Sequence, residues 1–413
     1  MRNPRPAIVT AFSIVWLLMS AAASAQAVAA GVQADKDLFA AASARRRTPP
    51  SLPQPPTVAP KVNPNIAKLA RVKLTPTYIL TGHALKLYRS PDSGATWATY
   101  EFGTNTTIKA TVAVDPSFFV GVGGSGKVVV TRDAGTSWTI GNVGADVLLE
   151  DVAFIPADPA KVNQTPCFIA VGYKADSAGI FISQDAAAWQ RTGSFTGGKL
   201  MTTAASPKGQ VVAIGDYGFL YSHDYGQTWK QASWQSNHIP LTETIGNVYD
   251  VIYDPASSLF AFVCYGDRTN VRSFNFRTSV DGSVWQVGQE NLSDLSERAR
   301  GIVQADKTIY TRQLATDGKG MIITTPDMRG SYYSADGGRT WRLFYQNLPA
   351  GVTTRIMDIA WDGQRFVGVS YNETPDGGKY LCYSPNGAAW TTQPLPKATS
   401  QLGSNITIGI INK

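Results

Sequence analysis

Cysteine and histidine are scarce in this chain, with three of each in 413 residues. Cys167, Cys264 and Cys382 are widely separated and embedded in apolar runs, and nothing has metal-ligand spacing. A disulfide framework and a zinc centre are therefore excluded as organising principles. His83, His223 and His238 are the only imidazoles, so a histidine-based nucleophilic triad is poorly supported. The sequence calls for no metal and no cofactor. Charge is also sparse, at 16% of residues, and no apolar run beyond the first 25 residues approaches membrane-spanning length.

What is abundant points to sheet and turn: 38 Gly, 24 Pro and 10% aromatics fit a β-rich chain with many tight connections. Residues 1–25 carry Arg2 and Arg5, an apolar run from Ala7 to Ala23, and the small step Ala23-Ser24-Ala25. That is the layout of a cleavable secretory signal, with a retained membrane anchor as the alternative. The chain is thus expected to be exported, periplasmic or extracellular, without an integral membrane domain after cleavage. Without the signal, 35 basic residues face 30 acidic ones, too mild a balance to suggest nucleic acid. Residues 26–75 turn Pro-rich, as in Thr48-Pro49-Pro50-Ser51-Leu52-Pro53, and read as a disordered, solvated linker.

From residue 76 to 413 a repeat sets the architecture. Its copies are Ser90-Pro-Asp92-Ser-Gly94-Ala-Thr96-Trp97, Thr131-Arg-Asp133-Ala-Gly135-Thr-Ser137-Trp138, Ser183-Gln-Asp185-Ala-Ala-Ala-Trp189 and Ser222-His-Asp224-Tyr-Gly226-Gln-Thr228-Trp229. Three more are Ser279-Val-Asp281-Gly-Ser-Val-Trp285, Ser334-Ala-Asp336-Gly-Gly338-Arg-Thr340-Trp341 and Ser384-Pro-Asn386-Gly-Ala-Ala-Trp390. The period averages about 49 residues, the length of one four-stranded propeller blade with its connections. In each copy the Asp (or Asn386) accepts backbone N–H bonds that a tight turn leaves open, and the Gly that every copy but the third carries takes a positive φ. The Trp opens the outer strand and offers apolar surface. Copies three, five and seven are one residue shorter. The first copy has too few strands before it, and the run Asn405-Ile-Thr-Ile-Gly-Ile-Ile411 has no copy after it. These facts predict a single all-β, seven-bladed β-propeller with four-stranded antiparallel blades, closed by the C-terminal strand in blade one.

The Ser-x-Asp-x-Gly-x-Thr-Trp pattern resembles the Asp-box, or bacterial neuraminidase repeat, of the sialidase-like superfamily. The resemblance implies that the box residues are structural and lie away from the working face. Sialidases also carry an arginine triad opening on an Arg-Ile-Pro motif before the first box. The segment Lys61 to Arg89 offers only Arg71-Val72-Lys73 and Arg89, with no such tripeptide, and no Tyr-Glu nucleophile pair is evident. In regularity and size the chain is more similar to photosystem II assembly factor-like exported proteins, which implies a non-enzymatic scaffold. Xyloglucan-cleaving propeller enzymes share the repeat but usually pair two propellers around a cleft.

Function is therefore sought on the loop face opposite the boxes, on the stretches Tyr173 to Ser177, Trp234 to Glu243, Gly266 to Phe276, Glu290 to Arg300 and Pro326 to Arg329. Arg268, Arg272, Arg277, Arg298, Arg300 and Arg329 are candidates for a carboxylate or phosphate, or are solvated charges beside Asp267, Asp294 and Glu297. Trp234 with His238 is a candidate grip for a sugar ring or peptide, or a blade-edge cover. Asn105, Asn163, Asn291, Asn372 and Asn405 each begin an Asn-x-Ser/Thr tripeptide. The expected function is a monomeric exported binding or assembly scaffold for a protein partner or glycan. The alternative is a glycoside hydrolase of sialidase-like type, using carboxylates that sequence alone does not pair in space.

Overall fold

The computed structural model describes residues 75–82, 86–102, 107–157, 164–196, 198–215, 218–234, 248–264, 275–290, 313–325, 331–344, 355–371, 379–396 and 402–409. The expected signal and nearly all of the expected linker lie outside them. The chain divides after Val72, and every described element belongs to the unit Lys73–Lys413.

Seven antiparallel four-stranded sheets form a ring. Blade 2 runs, from the channel outward, Ile108–Ala113, Phe119–Gly123, Lys127–Thr131 and Thr139–Asn142. Blades 3, 4, 5, 6 and 7 begin with innermost strands Leu148–Ile155, Thr202–Ala205, Val248–Asp254, Leu314–Thr316 and Arg355–Trp361 and repeat the order. Blade 1 differs, because its innermost strand is Leu402–Gly409, paired with Thr77–Gly82 in a register that sets Tyr78 opposite Ile408. The closure expected from the orphan strand is thus the one observed, and it consumes a sheet edge that would otherwise stand open.

Two blades take an addition that no side-chain pattern announces. Ser233–Trp234 pairs in parallel with Val284 and Trp285 on the rim of blade 5, and Gln289–Glu290 does the same with Thr340 and Trp341 on blade 6. Each is the chain leaving one blade and stitching itself to the next. The stretch Tyr173 to Ser177, expected as a long loop, is instead a tight hairpin turn with Ala175 at φ 50° between the strands Cys167–Lys174 and Ser177–Ser183.

Apolar packing follows the seams between blades. Seven buried clusters each draw side chains from two adjacent blades, and each includes the box tryptophan of the later blade. Trp341, for example, is fully buried and stacks on Phe276 of blade 5 with ring centroids 3.9 Å apart. Cys167 and Cys382 are buried, unbridged members of this core.

The boxes themselves are turns between the third and fourth strands. In the long copies the Ser or Thr hydroxyl accepts the Gly N–H four residues on, as from Gly94 to Ser90 at 2.7 Å and from Gly338 to Ser334 at 2.8 Å. The carboxylate takes the N–H of the residue four further, Thr96 to Asp92 at 2.8 Å and Thr340 to Asp336 at 2.9 Å. In the short copies Asp185 accepts from Ala187 and Ala188 at 2.8 and 2.9 Å, and Asn386 accepts from Ala388 at 3.0 Å. Gly94, at φ +95°, is irreplaceable twice over: a Cβ there would come 2.7 Å from Leu381 and from the Tyr383 hydroxyl of blade 7. Six of the seven tryptophans donate their indole N–H back to the box, Trp341 to Gly338 O at 2.8 Å among them. In the fifth copy, where Ser233–Trp234 is stitched on, the buried Trp285 N–H has no partner among the described residues.

Candidate functional site at the loop-side mouth

Every innermost strand starts on the face opposite the boxes, and register shifts mark several of these starts. In blades 2, 3, 5 and 7 the pairing slips at Ile108/Ala110, Leu149/Asp151, Val248/Asp250 and Ile356/Asp358. A bulge inserts one unpaired residue and re-aims its neighbours. Two kinds of site result.

The first is sealed inside the ring. Asp151 accepts the Thr203 N–H of blade 4 at 2.8 Å and the Thr202 hydroxyl at 3.1 Å, while its other oxygen takes the Val152 N–H at 2.7 Å. Asp250 accepts the Leu314 N–H of blade 6 at 2.8 Å. Asp358 accepts the Ile406 N–H of the closing strand at 2.7 Å and the Ile359 N–H at 2.8 Å. Three carboxyls, from blades 3, 5 and 7, thus clasp blades 4, 6 and 1. Burial raises all three, Asp151 to about 6, Asp358 to about 7 and Asp250 well above its ordinary value, and each also feels the charge of another member or is felt by it. The remaining bonds run through threonines, Val251 N–H to the Thr202 hydroxyl at 3.2 Å and the Thr407 hydroxyl to Thr111 O at 2.9 Å. The closing seam is further tied by the Tyr78 hydroxyl donating to Asp362 at 2.8 Å, with Arg365 on the same carboxylate at 3.2 Å.

The second site opens toward the loop face. The bulged residues Lys109 and Glu150 meet across the seam of blades 2 and 3, with ammonium and carboxylate 3.5 Å apart. Tyr173, opposite Leu148 on the next strand, stands near enough to Glu150 to help hold its negative charge. The ammonium of Lys199, at the entry to blade 4, lies 4.6 Å from the centre of the Tyr173 ring. Glycines make this convergence possible: a Cβ on Gly172 would strike Leu148 O, and one on Gly215 would strike Lys199 O. The Glu150 side chain is only 10% exposed, against 41% for Lys109. Burial raises the Glu150 carboxyl above its ordinary range, and Lys109, Lys199 and Tyr173 pull it partly back. Beside this array Lys174 pairs with Asp146 at 3.0 Å, both exposed.

None of the arginine, tryptophan and histidine candidates read from sequence is among the residues described at this array. Trp234 is described only in its backbone, on the rim of blade 5. His238, Arg268, Arg272, Arg298, Arg300 and Arg329 lie outside the described residues. Arg277 is buried within blade 5, donating to Phe276 O at 3.1 Å. On the box face, Asp92, Asp133, Asp185, Asp224, Asp281, Asp336 and Asn386 each accept backbone N–H bonds of their own turn, and the second oxygen of Asp281 lies 3.5 Å from His223 of the fourth box. The partners Trp97, Trp138, Trp189, Trp229, Trp285, Trp341 and Trp390 sit in the seams. Glu150 and the three clasp aspartates escaped the sequence reading, although one signal was there: an acid interrupts an otherwise apolar strand in Glu150-Asp151-Val152, Tyr249-Asp250-Val251 and Met357-Asp358-Ile359.

Among the described residues no group of three or more His, Cys, Asp or Glu is arranged to hold a metal ion, and no helix is long and apolar enough to cross a membrane. No curated protein matches the chain. Solved structures with similarity include "YCF48 bound to D1 peptide", at 15% identity and TM-score 0.44, covering 75% of this chain and 85% of that one. YCF48 from Cyanidioschyzon merolae matches at 15% identity and TM-score 0.47, covering 70% and 86%. The GH74 xyloglucanase from Xanthomonas campestris matches at 13% identity and TM-score 0.48, covering 69% of this chain and 45% of that one. The BNR/Asp-box repeat model matches residues 220–231 and 332–343, within the fourth and sixth boxes and the strands beside them. With those boxes, five more of the same build and seven sheets in a closed ring, the chain is a seven-bladed β-propeller of BNR/Asp-box repeats.

Proposed function

We propose that this propeller is an exported, non-enzymatic binding scaffold that holds a protein partner on its loop-side face. The observation that carries this reading is the difference between the faces. The box carboxylates of the four long copies are engaged through both oxygens in their own turns, whereas the opposite face gathers Lys109, Glu150, Tyr173 and Lys199 from three blades into a charged, partly open array. Rigid scaffolds present recognition groups in this way. A protein is favoured over a glycan because one face of Tyr173, the aromatic ring of the array, is already covered by Lys199, which leaves less of it for a sugar to stack on. Export rests on the arrangement of residues 1–25, and N-terminal sequencing of the secreted protein should begin at Gln26.

The test places a photo-crosslinking amino acid at Lys174, on the loop side, or at Arg339, in the sixth box. One partner should crosslink from the first position and none from the second; the reverse pattern would refute the assignment. A second reading, a glycoside hydrolase of sialidase-like type, draws on the nearness of Tyr173 and Glu150 on neighbouring strands of blade 3. Hydrolysis of a fluorogenic sialoside that vanishes in Glu150→Gln would establish it in place of the scaffold.

A further inference from the structure

The loop-side array has a charge problem that specifies its ligand. Two ammonium groups, Lys109 and Lys199, act on one mostly buried carboxylate, Glu150. An arriving carboxylate is attracted by both lysines, yet it must settle beside Glu150, which lies 3.5 Å from the Lys109 ammonium. Two carboxylates sharing so confined a site do not both stay ionised. The groups facing Glu150 are Lys109 from blade 2, Lys199 from the entry to blade 4 and Tyr173 from the neighbouring strand. Asp151, next along its own strand, feels the Glu150 charge but is engaged with Thr202 and Thr203.

Resting on the loop-face scaffold reading, we propose that Lys109 and Lys199 receive a side-chain carboxylate of an acidic segment of the protein partner, and that Glu150 takes up one proton from solvent as it binds. In the bound state the neutral Glu150 carboxylic acid has an O–H to donate to the incoming carboxylate, so the proton that removes a repulsion also supplies a charge-assisted hydrogen bond. Binding and protonation are then linked: affinity falls as pH rises, because the proton must be drawn from an ever more dilute supply. Charge steering by the lysines adds a dependence on ionic strength.

The experiment uses the full chain and a fluorescein-labelled peptide of ten glutamates, with an oligogalacturonate of matching charge as the glycan arm, titrated between pH 5.5 and 8. The peptide should bind, weakening by up to tenfold per pH unit at the alkaline end. Calorimetry in buffers of different ionisation enthalpy should report uptake of about one proton. Glu150→Gln should bind about equally at all pH values and at least tenfold more tightly than the native chain at pH 8, while Asp151→Asn should leave the slope in place. Lys109→Ala and Lys199→Ala, checked for an unchanged melting temperature, should each weaken binding at least tenfold. A pH-independent native chain, or a slope that survives Glu150→Gln, would overturn the proton linkage. Full affinity in both lysine variants, with crosslinks still confined to the loop side, would overturn this site but keep the loop face; crosslinks moving to the boxes would overturn both. Preference for the galacturonate would replace the protein partner by an acidic glycan.

Discussion

At the box turns aspartate sits at the surface and is held ionised; along the channel it is shut away from water and driven toward its neutral form. Asp133 is the extreme of the first kind: bonds from the Ser137 hydroxyl and N–H and from Thr131 lower it to about 2. Asp151 and Asp358, held by comparable N–H bonds, are raised to about 6 and about 7 because burial outweighs those bonds. Hydrogen bonding alone therefore does not decide the charge of a structural carboxylate. Solvent access does, and it assigns the two sets different tasks, the box set closing local turns and the channel set joining one blade to the next.

The largest test of this contrast removes a partner rather than an aspartate. Deleting residues 402–413 takes away the Ile406 N–H that Asp358 holds, the pairing with Thr77–Gly82 and the Thr407 bond to blade 2. Soluble, cooperatively melting protein should be lost, and a truncation that melts like the native chain would show that the channel clasp and closing strand carry nothing. Next, Asp358→Ala leaves two buried N–H groups unpaired and should cost about 2–4 kcal/mol in chemical denaturation, on the scale of 1–3 kcal/mol per unsatisfied group. Asp336→Ala, in a box, opens a turn that water can enter and should cost about 1 kcal/mol. Equal losses at the two positions would erase the distinction.

A pH profile sharpens it further. For the channel acids the folded state binds protons more readily than the unfolded chain, so their contribution is complete below the ordinary value of 3.8 and is lost as pH rises through about 6 to 7. For the box acids the sign is opposite: their contribution is present above 3.8 and is lost as pH falls toward 2. Taken together the two sets place the melting maximum near pH 4 to 5, with a fall on the order of 5–10 °C by pH 8. The pair Asp151→Asn and Asp358→Asn, which keeps an acceptor oxygen at each clasp, should flatten the alkaline limb and leave the acid limb in place.

The smallest expected effect concerns the tryptophans that the boxes carry. Trp341→Phe forfeits an indole bond to Gly338, whereas Trp285→Phe forfeits none among the described residues, so the first should cost about 1 kcal/mol more than the second after allowing for similar burial. Thermal melts of the two variants decide it.

The fold was legible because each box is a local solution with few substitutes: a short acceptor, a residue tolerant of positive φ and a Trp must stand at fixed offsets, and seven copies count the blades. Closure was legible for a related reason, an unmatched strand at one end and a missing one at the other. The loop-side array was not. Lys109, Glu150, Tyr173 and Lys199 are joined by register slips and glycine contacts that come from three-dimensional packing, and no spacing in the sequence encodes them. The two parallel stitches at Ser233–Trp234 and Gln289–Glu290 were hidden for a simpler reason, since they pair through backbone groups that any sequence carries. The arginines of the sequence reading were selected by residue type on long connections, and the geometry that distinguishes Arg277, buried in a strand, from a loop charge does not appear in composition.

The closing strand also imposes an order of events. Thr407 reaches a blade-2 residue 296 positions earlier in the chain, so the first sheet stays incomplete until almost every other sheet has been made. Contacts of such long range make folding slow. During synthesis the open strand Thr77–Gly82 would expose an unpaired edge to any neighbouring chain. The ring therefore places its last pairing between segments more than 300 residues apart, Thr77–Gly82 and Leu402–Gly409.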